Sequence, residues 1–335
     1  MSLREPHALL SGGRLWQDFP LRSANPYLAG PGGRSASGAL LYSMSEVTSV
    51  PEVIYLNGRI VPPAEAVVSV NDRGFLFGDA IYEVVRSYDG RLWAMTRHMR
   101  RLARSLDAVD LRSADVDEVR AAIEETYQAS EIPNALVYLQ ITRGVAPRSH
   151  AYPRDLRPTV LITVRDIAPV VAGIDFDGEA AVTAPDLRWR RCDVKSTNLL
   201  PNVLAKTRAH DHGAREAILV DTEGCVTEGT STSVFWVAQN RLFATPGGPE
   251  ILPGITREVV MEIARDEGIP VLAERVTLQE FRRASEIFLT STGHEVCPVI
   301  RLDGASVGSG RAGPLTLRLQ KGFRARVAVG DDEPR

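Results

Sequence analysis

Apolar and polar positions alternate along "VIYLNGRIV" (53–61), and the alternation breaks only at Asn57-Gly58. The pattern predicts two short strands joined by a tight hairpin, because both turn residues tolerate the positive φ such a turn needs. The same device recurs in "DAIYEVVRSYDGRLWAM" (79–95), with Asp89-Gly90 as the turn. Helical spacing takes over at 97–109 and again at 116–130, "VDEVRAAIEETYQAS". Two further strand-like runs follow, "ALVYLQITRG" (135–144) and "PTVLITVRDI" (158–167). Residues 52–167 therefore read as a small α+β domain, an antiparallel sheet with two helices.

"APVVAGIDFDG" (168–178) reads as a linker, and a larger domain is expected over 179–327. It opens with a strand, "EAAVTAPDLRW", and a helix over 198–213, then paired strands from 216 to 245. A helix at 255–268 closes on Gly268, two more strands run through "EIFLTST" and "VCPVIRLDGASV", and a last helix lies around 314–327. The tail, 328–335, is expected to fray. Residues 1–43 are rich in Gly, Pro, Ser and Arg and sustain neither period, so a disordered extension is expected there, with "MSEVTSVPEVIYLNG" from Met44 reading like a natural start. Arg and Pro interrupt every apolar stretch in those first residues, against a secretory signal.

Composition narrows the function classes. Net charge is −3 despite 39 cationic side chains, so nothing favours a phosphate backbone and an arginine-rich binding module is disfavoured. Three scattered cysteines make neither a disulfide framework nor a zinc site, and a cytoplasmic setting is the natural one. No apolar run reaches the length of a membrane span. One imbalance does point to chemistry. Only Lys195, Lys206 and Lys321 are lysines, and every other cation of this class is arginine. Arginine stays protonated in proteins, whereas lysine can lose its proton and become a nucleophile.

Lys195 lies in "RRCDVKSTNLLPN" (190–202), at a strand-to-helix junction. Glu228 sits among small hydroxyl residues at the end of an apolar strand, in "CVTEGTSTSVF" (225–235). Gly254 precedes a helix beginning near Ile255-Thr256, where free N–H groups and the helix dipole favour a phosphate. Ser291 and Thr292, at a strand end in "LTSTGHE", offer a second phosphate contact. Each feature alone is an ordinary cap or turn. Together, a lysine, a carboxylate and an anion cradle are what pyridoxal phosphate requires. Lys206 would fall on the same helical face as Lys195, three turns on, but is read as structural. His210-Asp211-His212 suggests no metal, since i and i+2 on a helix point apart.

Six ordered motifs, "DRGFLFGDAIYEVVRSYDG", "HMRRL", "ITRGVAPRSH", "RWRRCDVKSTNLLPNVLAKTRAHDHG", "VTEGTSTSVF" and "LPGITREVV", resemble the fold-type-IV pyridoxal phosphate aminotransferases, most of all their D-amino-acid-specific members. The resemblance spans roughly 52–327 and implies a two-domain α+β fold with a β-barrel-like larger domain. It implies Lys195 as the Schiff-base lysine and proton shuttle, and Glu228 as partner of the pyridine nitrogen. Arg101, Ile255, Thr256 and Thr292 would hold the phosphate, and Leu252 would pack behind the ring. Tyr82, Arg148 and His150 would capture the substrate carboxylate, with Arg148 and His150 arriving from the other subunit of a homodimer. Glu83 and Arg188 match polar residues near the lysine. The chain departs from the family pattern at Gly293-His294. D-amino acids with a 2-oxo acid are the implied substrates, while a branched-chain L-aminotransferase, an (R)-amine transaminase and aminodeoxychorismate lyase share the scaffold.

Overall fold

The Asn57-Gly58 turn forms as the pattern predicts, with φ of 51° and 99°, and it joins β1 (Val53–Leu56) to β2 (Arg59–Val61). The computed structural model describes residues 53–330, so the expected extension over 1–43 lies outside the described residues. A short helix, α1 (Arg73–Phe77), leads into β3 (Ala80–Tyr88), which turns at Asp89-Gly90 into β4 (Arg91–Leu92). Then come α2 (Met95–Ala108), α3 (Val116–Ser130), β5 (Ala135–Thr142) and β6 (Thr159–Asp166). These strands make an antiparallel six-stranded sheet in the order β2-β1-β6-β5-β3-β4. Its alternation decides which way each side chain faces. Ile81, Val85, Val137, Leu139, Ile162 and Val164 are buried beneath Leu102, Leu106 and Ile123 of α2 and α3, while Tyr82, Val84 and Tyr138 take the other, half-open face.

The expected linker contains a helix of its own, α4 (Ala168–Ala172), too short for its periodicity to be read. Beyond it follow β7 (Glu179–Pro185), α5 (Leu200–Asp211), β8 (Glu216–Val220), β9 (Val226–Gly229), β10 (Ser233–Ala238) and β11 (Arg241–Ala244). The chain continues through α6 (Ile255–Asp266), β12 (Val271–Ala273), α7 (Leu278–Phe281), β13 (Glu286–Ser291), β14 (Glu295–Leu302), β15 (Ala305–Ser306) and α8 (Pro314–Val329). Helix α8 closes on Gly330 at φ 70°, so the fraying expected from 328 does not begin there.

The second sheet has nine strands, ordered β12-β11-β10-β13-β14-β7-β8-β9 with β15 beside β14. One end is drawn back toward the middle by covalent geometry. Strand β9 is the last in the order, yet only Thr230, Ser231 and Thr232 separate it from β10 in mid-sheet, so the sheet must curl into a half-barrel. The Gly229 N–H donates to the Thr232 carbonyl at 2.8 Å, and a Cβ on Gly229 would lie 2.0 Å from the Thr232 hydroxyl oxygen, which explains the glycine. After Ser233, strand β10 is apolar because both faces are covered. Phe235 and Val237 pack with Val259, Val260, Leu319 and Phe323 of α6 and α8, while Val234 and Trp236 join Phe281 and Leu289 on the opposite side. Among the described residues no helix is long and apolar enough to cross a membrane.

Candidate active site

Lys195 is placed by strand pairing rather than by a helix. Strand β4 covers only the far end of β3, so the near end of that edge is open, and the 195–197 segment takes it. The Tyr82 N–H donates to the Lys195 carbonyl at 2.9 Å, Ile81 bridges Ser196, and the Thr197 N–H donates to the Ala80 carbonyl at 3.1 Å. The Lys195 Nζ then stands 4.2 Å from the centre of the Tyr82 ring. Since α5 begins only at Leu200, the expectation that Lys195 and Lys206 share a helical face fails. Lys206 instead pairs with the buried Glu216, 3.2 Å away.

Lys195 opens into a cavity of about 360 Å³, within the range of small-molecule sites, between the two sheets. Glu228 enters it from the end of β9 and is buried. The Leu252 N–H donates to both its carboxylate oxygens at 3.1 Å, and Arg188 Nη1 donates to Oε1. Arg188 divides its charge, since Asp186 takes its Nε at 2.9 Å and its Nη2 at 2.7 Å. Burial pushes the Glu228 carboxyl up to about 7, because the shared guanidinium and the Leu252 N–H offset only part of the desolvation. A raised carboxyl binds its proton more tightly in the folded chain. Stability of the cofactor-free protein should therefore be fully present below the ordinary value of 4.5 and lost as pH rises to about 7. The contribution is on the order of 2–4 kcal/mol. Denaturant unfolding from pH 4.5 to 8 checks it, and the same slope in Glu228→Gln would assign the effect to another group.

The opposite wall begins with α2. Glu83 is fully buried on the helix-facing side of β3 and receives Arg101 Nε and Nη2, each at 2.7 Å, with His98 Nδ1 2.8 Å away. Burial opposes ionisation of Glu83, but the Arg101 charge and these hydrogen bonds hold it well below the usual carboxylate range. Arg101 Nη1 donates to the Pro253 carbonyl at 3.0 Å, tying α2 to the approach of α6. Gly254 caps α6 without a side-chain acceptor, and a Cβ there would lie 2.7 Å from the Ser233 hydroxyl. The first-turn N–H groups of Ile255 and Thr256 thus have no intrahelical partner, and both residues line the cavity. Leu252, Ser291 and Thr292 line it too, as does Thr290, whose buried hydroxyl lacks a hydrogen-bond partner.

Arg148 and His150 do not line the cavity of their own chain. Both are exposed, the Arg148 guanidinium 5.3 Å from the Phe77 ring centre and the His150 ring 5.7 Å from it. Buried Arg73 holds their backbone, donating to the Ser149 carbonyl at 2.6 Å and the His150 carbonyl at 3.2 Å. Three site features escape sequence reasoning. Asp186 orients Arg188, His98 supports Glu83, and Glu216 gathers the hydroxyls of Thr230, Ser231 and Thr232 on the cavity wall. Asp186 lies two residues before Arg188, a spacing with no meaning of its own in sequence, and the partners of His98 and Glu216 come from other elements. His294 fills the Gly293-His294 departure, with Nδ1 3.0 Å from the Ser291 hydroxyl, and burial pushes its ring down to about 4.

A two-layered fold around a cavity with a lysine, a buried carboxyl and an open helix N-terminus defines a class, and residues 80–302 match the family described as Amino-transferase class IV, to which this chain belongs. Within it, the chain is 40% identical to the D-alanine aminotransferase of Staphylococcus haemolyticus over 276 residues, 82% of this chain and 97% of that relative. Among solved structures it is similar to the branched-chain amino acid aminotransferase of Escherichia coli, with a TM-score of 0.76 and 27% identity over 82% of this chain and 94% of that one. The branched-chain amino acid aminotransferase of T.th., solved with pyridoxamine 5'-phosphate, gives the same TM-score of 0.76 at 27% identity, covering 85% of this chain and 96% of that one.

Proposed function

We propose that this chain moves an amino group from a D-amino acid to a 2-oxo acid, with pyridoxal phosphate as carrier and two subunits completing each site. The observation that carries the reading is the meeting, in one cavity, of Lys195, Glu228 and the uncapped start of α6. The residues fit the cofactor. The cavity has an unpartnered buried hydroxyl at Thr290, first-turn N–H groups of α6 without intrahelical partners, and a buried carboxyl at Glu228. When bound, the cofactor supplies an aldehyde that captures amines and a ring that draws electrons from the carbon bearing the amine.

The chain's own residues do the rest. Lys195 Nζ would hold the cofactor and supply the amine that moves the proton at the substrate Cα. Glu228 would be the acidic partner of the cofactor's ring nitrogen, with Arg188 and the Leu252 N–H fixing the carboxyl's orientation. Ile255, Thr256 and Thr292 would hold the phosphate, with Arg101 securing that segment through Pro253, and Leu252 would pack behind the ring. Tyr82 takes the substrate carboxylate together with Arg148 and His150 of a second copy.

The second copy is supported by what this copy leaves uncovered. Leu200, Val203 and Leu204 share one face of α5 and are 68%, 54% and 61% exposed, with Phe75 of α1 75% exposed. Such a face suits an interface better than water. The D-alanine aminotransferase relative, at higher identity than the branched-chain structures, supports D-amino donors. A spectrophotometric half-reaction screen tests this. Consumption of the lysine-bound cofactor's visible band by D-alanine, and not by L-leucine or a chiral amine, is the expected result. The reverse preference would replace the D-specific reading with the branched-chain one. Glu228→Gln should retain cofactor but lose about 10²–10³ in kcat, the scale of a misdirected electrostatic partner.

A further inference from the structure

Four cations line the cavity, and three are accounted for. Arg101 is held by Glu83 and the Pro253 carbonyl, Arg188 by Asp186 and Glu228, and Lys195 stands against Tyr82. The fourth is Arg165 of β6, which is exposed and makes no hydrogen bond or ion pair among the described residues. Register places it on the cavity side of the small sheet. Leu136 pairs with Arg165 on one side and Arg86 on the other, and Val84 and Tyr82 follow on the same face of β3. Arg86, the matching arginine in that row, is by contrast committed to Glu295 at 3.0 Å. Strand β6 lies two strands from β3, about 10 Å away. Between them, Val84 and Leu136 offer an apolar strip lining the cavity.

We infer that Arg165 is the residue that reads the distal carboxylate when this site takes a five-carbon dicarboxylate such as D-glutamate or its 2-oxo acid. The inference rests on the transamination reading above. The substrate's α-carboxylate is held at the Tyr82 end, its two methylenes lie over Val84 and Leu136, and its distal carboxylate meets Arg165. An arginine with no protein partner, at the rim of a site for an anionic substrate, loses little on forming a charge-assisted pair. A one-carbon side chain, as in D-alanine, cannot span the strip and makes no such contact.

The test is a ratio. In Arg165→Gln, kcat/KM for D-glutamate relative to D-alanine should fall roughly 10- to 100-fold, the scale of a lost charge-assisted contact. Arg165→Lys should recover part of it, and D-aspartate, one methylene shorter, should respond less than D-glutamate. A general structural defect would lower both substrates together and leave the ratio unmoved, and an unmoved ratio overturns the inference. The cofactor's visible band checks in the same samples that the site is intact. If the unaltered enzyme transaminates no D-amino acid, the proposed function itself falls. If it does so without a dicarboxylate-selective loss in Arg165→Gln, only the role of Arg165 falls.

Discussion

Lys195→Ala should abolish transamination, lowering kcat by about 10⁴-fold or more, since proton transfer by a positioned group alone carries roughly 10²–10⁴. On the proposed roles two functions would be lost at once, the covalent hold on the cofactor and the base that moves the Cα proton. Borohydride treatment followed by mass spectrometry separates this from misfolding. Wild-type protein should gain a fixed cofactor mass on the peptide containing Lys195, and the variant should gain none. Lys206→Ala provides the contrast. It should keep the fixed cofactor yet lose stability on the order of 3 kcal/mol, because it strands the buried Glu216 carboxylate. Exposed Lys321 should matter to neither. Cofactor mass on a peptide other than that of Lys195 would end the assignment.

Arg148→Ala should cost roughly 10- to 150-fold in kcat/KM for D-alanine, the equivalent of about 1.5–3 kcal/mol for a charge-assisted contact to the substrate carboxylate. An amine donor lacking a carboxylate should be spared. The exposed position of Arg148 against Phe77, outside the cavity of its own chain, makes a sharper experiment available. Lys195→Ala and Arg148→Ala subunits, each inactive or nearly so alone, should recover activity when mixed and reassociated. In a heterodimer one site joins an intact Lys195 to an intact Arg148 from the other copy. Absence of recovery in verified heterodimers, or equal losses for both donor types, would place the carboxylate contact elsewhere.

Much of this architecture was legible in the order of residues. Both hairpin turns carry their signature dipeptides, and α3 begins and ends where its period predicts. What escaped was short or long-range. Helix α1 has five residues, too few for a period, and is fixed by Asp72, whose carboxylate accepts the Gly74 N–H at 2.8 Å. Strand β12 has three residues and exists because β11 offers it a parallel edge. At the site, Lys195 and Glu228 stood out through their neighbours in sequence. The geometry that aims Lys195 did not, because it depends on an edge of β3 left free by the shortness of β4, a fact of topology. Arg165 was invisible for the complementary reason. In sequence it is one of many arginines, and only its lack of a partner among the described residues distinguishes it.

The clamp on the 148–150 loop has a thermodynamic consequence for assembly. Arg73 is itself fixed, its Nε donating to Asp79 at 2.8 Å, and it grips the carbonyls of Ser149 and His150 from inside the same chain. The loop's shape is therefore settled when the chain folds, before any neighbour arrives. Association then forgoes little of the ordering entropy that a floppy loop would surrender on contact, which raises affinity without adding a single interfacial contact. If two copies associate as proposed, loosening this grip would deliver Arg148 and His150 imprecisely. On the two-subunit reading proposed above, one buried arginine would thus bear both on how readily two copies associate and on how accurately Arg148 and His150 are presented.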